Sequence, residues 1–106
     1  MKTFFDGIFV SRKTLEEAGI KYPIKLEYFK TFVKENVETK FGIEIVKTEF
    51  LEDRVNVETK EVANITSDEA KQNNILRILK NNEVTPIGLN DVLQELLQLQ
   101  VAEMEN

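Results

Sequence analysis

Val84-Thr85-Pro86-Ile87-Gly88-Leu89-Asn90-Asp91-Val92-Leu93-Gln94-Glu95-Leu96-Leu97 is the stretch whose reading decides the fold. The Thr85 hydroxyl is placed to cap the first free amides of a helix, and Pro86 suits the first helical position, where its missing N–H costs nothing. Leu89, Val92, Leu93, Leu96 and Leu97 follow at spacings of three and four, which puts them on one side of that helix. An apolar side needs a cover, and the cover is either the rest of this chain or a partner.

Immediately upstream, Thr66-Ser67-Asp68-Glu69 has the form of a capping box, with acids in the first turn where the helix dipole favours them. Ala70, Ile75, Leu76, Ile78 and Leu79 make a stripe along the helix that follows. Lys71, Asn74, Arg77 and Lys80 lie mainly away from the stripe, and Asn81 and Asn82 end it. The last helix is expected from Pro86 to about Glu103.

Further upstream the apolar period changes from helical to alternating. In Ile24 to Lys34, Ile24, Leu26, Tyr28 and Phe32 share one parity, and Lys25, Glu27 and Thr31 share the other. In Phe41 to Phe50, Phe41, Ile43 and Ile45 alternate with Gly42 and Glu44. Val46 and Phe50 then shift the phase, which predicts a β-bulge or a strand covered on both faces. A third strand puts Val55 and Val57 inward and Arg54, Asn56, Glu58 and Lys60 outward, and continues irregularly through Val62, Ala63 and Ile65. The connections are short, and short connections join antiparallel strands.

The expected fold is therefore α+β: a three-stranded antiparallel meander followed by two helices packed on one face, with a short N-terminal strand or helix. One domain covers residues 1–106, with an N-terminal arm at 1–22, the sheet at 24–65 and the helices at 66–104. Within the arm, Thr14-Leu15-Glu16-Glu17 matches a capping box and Gly19 suits a left-handed helix end. Asn-Val-Glu-Thr-Lys occurs at both 36–40 and 56–60, too short a match for a structural repeat.

Composition narrows the function. The chain is 42% hydrophobic and 31% charged, as in soluble globular proteins. No apolar run approaches the roughly 20 residues that span a bilayer. Asp6 and Gly7 interrupt the apolar Phe4–Val10 stretch, and no small-residue cleavage site follows, so a signal peptide is not expected. There is no cysteine and no histidine. Disulfides, thiolate chemistry and zinc sites built from these residues are excluded, and a reducing cytoplasm is the simplest location. The net charge of −5 opposes binding to nucleic acid. From Ser67 onward seven acids face three bases, so −4 of the total lies in the helical part.

Three stretches together carry a family resemblance: Phe41-Gly42-Ile43-Glu44-Ile45-Val46-Lys47, Asn64-Ile65-Thr66, and Val84-Thr85-Pro86-Ile87 with Leu89, Asp91 and Val92. The chain resembles, over roughly Ile24 to Leu97, a family of short proteins from clostridia and related Firmicutes catalogued as a domain of unknown function. The resemblance implies a small cytoplasmic bacterial protein and brings no established activity. It also implies a histidine near Gly88, from which this chain departs.

Candidate sites are few. Glu44, Glu49, Glu52 and Asp53 lie on or beside one hairpin, but they lack the glycine-containing spacing of a calcium loop and read as a solvated tip. Tyr22, Tyr28, Phe29 and Phe32 mix with lysines, as in single-strand nucleic-acid binders, but Glu27 and Glu35 are interleaved. The last helix has Asp91, Glu95 and Glu103 and no Lys or Arg, which argues against DNA reading. Asn64-Ile65-Thr66 has the form of a glycosylation sequon, better explained here as the approach to a helix cap. No catalytic, cofactor-binding or metal residues are assigned.

Leu93, Leu96, Leu97, Leu99 and Val101 remain, forming an apolar stripe wider than a sheet cover needs. The expected function is a non-enzymatic protein-interaction or regulatory module, binding a protein partner or itself as a homodimer through this helix, with no nucleic acid and no membrane. The alternative is a small enzyme or ligand-binding protein with a pocket between sheet and helices, using Tyr28, Glu44 and Arg54 as polar groups.

Overall fold

The alternating segments form the strands they predict, each somewhat longer than its pattern. The structure, a computed structural model, describes the backbone of residues 1–105 and the side chains of residues 1–97. In chain order it comprises β1 (Lys2–Phe9), α1 (Arg12–Glu17), β2 (Ile24–Glu35), β3 (Glu38–Phe50), β4 (Val55–Thr66), α2 (Glu69–Asn81) and α3 (Leu89–Glu105). A single 3₁₀ turn, Pro86–Gly88, leads into α3. The strands make one antiparallel sheet in the order β1-β2-β3-β4. No helix among the described residues is long and apolar enough to cross a membrane.

The α+β class and the antiparallel meander hold, with two corrections to the count. The sheet has four strands, because residues 2–9 pair along β2, and a third helix, α1, joins β1 to β2. The Asp6-Gly7 interruption of the apolar run marks an irregularity, since Phe4 faces Phe29 while Asp6 faces Tyr28 and Phe5 is left over. That extra residue turns Asp6 toward α2, where its carboxylate meets Lys80 Nζ at 2.7 Å. Hydrogen bonds from Lys80 and from the Gly7 amide hold the Asp6 carboxyl below the usual aspartate range.

The caps sit one step away from the sequence patterns. Ser11, not Thr14, caps α1 by accepting from the Thr14 amide at 3.2 Å. Asp68, not Thr66, caps α2 by accepting from the Ala70 amide at 2.9 Å, while the Thr66 hydroxyl accepts from the Asp68 amide. The Thr85 hydroxyl makes no cap bond; its carbonyl instead accepts from the Gly88 amide at 3.1 Å, closing the 3₁₀ turn. Gly19 ends the α1 region with φ of +70°, as its position predicts.

The phase shift in β3 has a different cause from a bulge in that strand. β3 pairs with β2 in unbroken register, so Val46 and Phe50 simply face away from the helices. The irregularity lies in β4, where Phe41 faces Thr66 and Ile43 faces Val62, with Ala63 to Ile65 bulged between them and Asn64 at φ +56°. Val55 and Val57, expected inward, are 55% and 61% exposed on the side away from the helices. Their partners Phe50 and Thr48 fix that orientation.

The core lies on the other side. Ile24, Leu26, Tyr28, Ile43 and Ile45 of the sheet meet Ile75, Leu76 and Leu79 of α2 and Leu89 and Leu93 of α3. The buried positions of α2 are 72, 75, 76 and 79, a helical stripe in which Gln72 replaces the expected Ala70. Gln72 Nε2 donates to the carbonyls of Thr31 at 3.0 Å and Gly42 at 2.7 Å, beside the β4 bulge.

Tyr28 ties the sheet to the segment before α3, donating its hydroxyl to the Val84 carbonyl at 2.9 Å. Burial raises its phenol above the ordinary tyrosine value near 10, with Glu83 adding to the effect. A raised native pKa means that its stabilising contribution is complete below pH 10 and is lost as pH rises beyond it. Tyr28→Phe removes a buried hydrogen bond and lowers stability by about 1 kcal/mol at neutral pH. The loss of stability above about pH 10 becomes shallower in this variant, which denaturant titrations at pH 7 and pH 10.5 check.

Candidate interaction surface

A sheet with helices on one side leaves its other side to be accounted for. Cross-strand register settles which residues share that second face, because directly paired residues point the same way. Phe4 pairs with Phe29, Phe29 with Glu44, and Glu44 with Glu61. One row further along, Glu27 pairs with Gly7 and Val46; the next row joins Phe9, Lys25, Thr48 and Val57. Among the described residues no helix covers these side chains.

The face is apolar and aromatic for a solvent side. Phe4 and Phe29 meet edge to face with centroids 5.6 Å apart, and Phe9 lies 6.3 Å from Phe50. Phe4 and Phe9 remain 54% and 62% exposed. Lys2 Nζ sits 4.5 Å from the Phe29 ring centroid and 3.3 Å from Glu44 Oε1, so a cation–π contact and an ion pair share one ammonium. Exposed aromatic residues grouped in this way mark surfaces that bind.

The helix named for an interface is placed as follows. Leu93 is 3% exposed and belongs to the core, and Leu96 packs in part against it. Leu97 is half-buried, and the side chains of Leu99 and Val101 lie outside the described residues.

The pocket residues are not brought together. Tyr28 points into the helix-side core, Glu44 lies on the uncovered face, and Arg54 sits at the β3–β4 turn beside Asp53. The hairpin acids separate too: Glu49 accepts from the Tyr22 hydroxyl at 2.7 Å, and Glu52 and Asp53 are exposed in the turn. Among the described residues no group of three or more acids is placed to hold a metal ion. Of the aromatic cluster, Tyr28 and Phe32 share one face and Phe29 the other. The repeated pentapeptide forms a hairpin turn at 36–40 and mid-strand at 56–60.

A family model described as "Family of unknown function (DUF6514)" matches residues 6–99. The chain belongs to this family. The match runs from Asp6 of β1 into α3 and so includes both faces of the sheet. No curated protein and no solved structure matches the chain. The uncovered face was the feature that sequence patterning missed. Its signal was present in Phe29, Val46 and Phe50, apolar residues on the parity otherwise filled by polar ones.

Proposed function

We propose that this chain is a non-enzymatic interaction module of the bacterial cytoplasm whose working surface is the uncovered sheet face. One observation carries the reading: the helices bury the middle of one side of the sheet, while the other side presents Phe4, Phe9, Val55 and Val57 to solvent. The buried side supports it as well. Leu26, Tyr28, Ile43, Ile45, Leu76 and Leu79 are fully buried against each other, and the Tyr28 hydroxyl is already bonded within the chain. The groove between Lys60, Pro86, Ile87 and Asn90 is open to solvent. The absence of cysteine and the resemblance to clostridial proteins support the location.

A thermal-shift screen with divalent metals and small metabolites is expected to leave the melting temperature unchanged. A compound that raises it binds the native state selectively and overturns this reading in favour of a ligand-binding protein or enzyme. Self-association through α3 is the second reading. With Leu93 in the core it rests on Leu96, Leu97, Leu99 and Val101, and Leu97→Asp, which alters a half-buried position, tests it by solution mass.

A further inference from the structure

We infer that two copies of this chain meet face to face through the uncovered sheet, about a two-fold axis that crosses β2 between Lys25 and Glu27. The inference rests on the reading of that face as an interaction surface and names its occupant. Charge is the first argument. Lys25, Glu27 and Glu61 are half-buried or exposed on this face and enter no ion pair among the described residues, whereas Glu44 is held by Lys2. Lys25 and Glu27 are two residues apart on one strand and point the same way. A two-fold axis between them brings each Lys25 against the Glu27 of the other copy, so both contacts form at once. The same operation lays Phe9 of each copy over Gly7 of the other, where the Phe4 ring, 3.3 Å from the Gly7 Cβ position, offers it an aromatic contact. A partner selected by a single sign of charge, such as a nucleic acid, finds no matching field on a face of mixed sign.

Area is the second argument. Three rows of paired residues cross all four strands here, each about 7 Å deep and about 19 Å wide, and a fourth row, Phe50 with Val55, continues on β3 and β4 alone. The apposed area is thus roughly 450 Å² on each copy and about 900 Å² in all, the size of weak, reversible interfaces. Aligned sheets packed about 10 Å apart are an ordinary way to bury two such faces. An interface of this size predicts a dimer that forms and dissociates reversibly with concentration.

The experiment is sedimentation equilibrium on the whole chain and on two charge reversals, Lys25→Glu and Glu27→Lys, alone and mixed. The wild-type chain is expected to dimerise with rising concentration. Each reversal alone places like charges together at two points and weakens the dimer by about tenfold or more. An equimolar mixture restores the dimer mass, because the reversed pairs again match. Val57→Lys, at an exposed position, also weakens the dimer while melting like the wild type, and Leu97→Asp leaves the dimer intact. A wild-type monomer at all concentrations overturns the second copy as occupant, as does dimerisation that survives both reversals. A mixture that stays monomeric overturns the two-fold axis. None of these results touches the interaction-module reading, which falls to a ligand found in the thermal-shift screen.

Discussion

Gly42→Ala lowers the stability of this protein by about 3 kcal/mol, the upper end of the cost of overpacking a closed site. A Cβ added at Gly42 comes within 2.5 Å of the Val62 carbonyl oxygen, 2.6 Å of Thr31 Oγ1 and 3.0 Å of the Ala63 Cα. Thr31 can turn its hydroxyl away, but the other two atoms are backbone of β4 at its bulge. Relief requires β4 to move away from β3, which breaks the pairing on either side of Ala63 to Ile65. For a domain of this length the expected fall in melting temperature is about 10 °C or more. Gly88→Ala is the control. Nothing lies within 4 Å of a Cβ there, so that variant melts at or slightly above the wild-type temperature. Equal melting of Gly42→Ala and the wild type would mean that the bulge does not approach β3 at this point.

Gln72→Leu has the second large effect, and its sign is what makes it informative. By transfer free energy alone, an apolar side chain at a position 1% exposed should stabilise the fold. Gln72 Nε2, however, donates to two carbonyls, those of Thr31 and Gly42. Thr31 and Gly42 face each other in the unbroken β2–β3 register, so each carbonyl accepts from Gln72 in addition to its ladder partner. Removing the donor breaks two buried hydrogen bonds, each worth about 1 kcal/mol. Against this stands the release of the Gln72 Oε1, which is buried without a partner among the described residues. The net expectation is a loss of about 1–2 kcal/mol. Gln72→Met keeps the length of the side chain and removes the same donor, so it should lose nearly as much. Chemical denaturation of the three proteins checks this, and a Leu or Met variant at least as stable as the wild type would sink the account.

Both effects arise at one place, and that place was invisible in the sequence. The local patterns in β2, β3 and α2 depend on single residues and their near neighbours, and they give the type and approximate limits of each element, though not the β3 phase shift or the α2 cap. Gln72 carries no apolar signal, and only the pairing of β2 with β3 sets the Thr31 and Gly42 carbonyls side by side as the acceptors that let it be buried. Gly42 looked like an ordinary strand position, because the atoms that exclude a side chain come from residues some twenty positions later. Val55 and Val57 were read as inward on the general rule that apolar residues seek the core, yet the β3 register turns them outward.

The candidate surface divides in the same way. Leu89, Val92, Leu93, Leu96 and Leu97 were legible as one helical side, and the structure spends Leu89 and Leu93 on the core. The aromatic face was not legible, because Phe4, Phe9, Phe29 and Phe50 come from three strands and meet only through pairing.

By itself the sequence determined the class of fold, the order and approximate limits of most elements, the helix-side core and the absence of cysteine and histidine chemistry. Periodicity and composition are local properties, and they carry that information without any knowledge of what lies opposite. Only the tertiary structure decided that Lys2 to Phe9 is a fourth strand, that β4 bulges around Asn64, and that one whole side of the sheet is left uncovered. Those outcomes depend on register between distant segments. A shift of one residue would send every side chain of a strand to the opposite face, and no stretch of the chain read alone contains that choice.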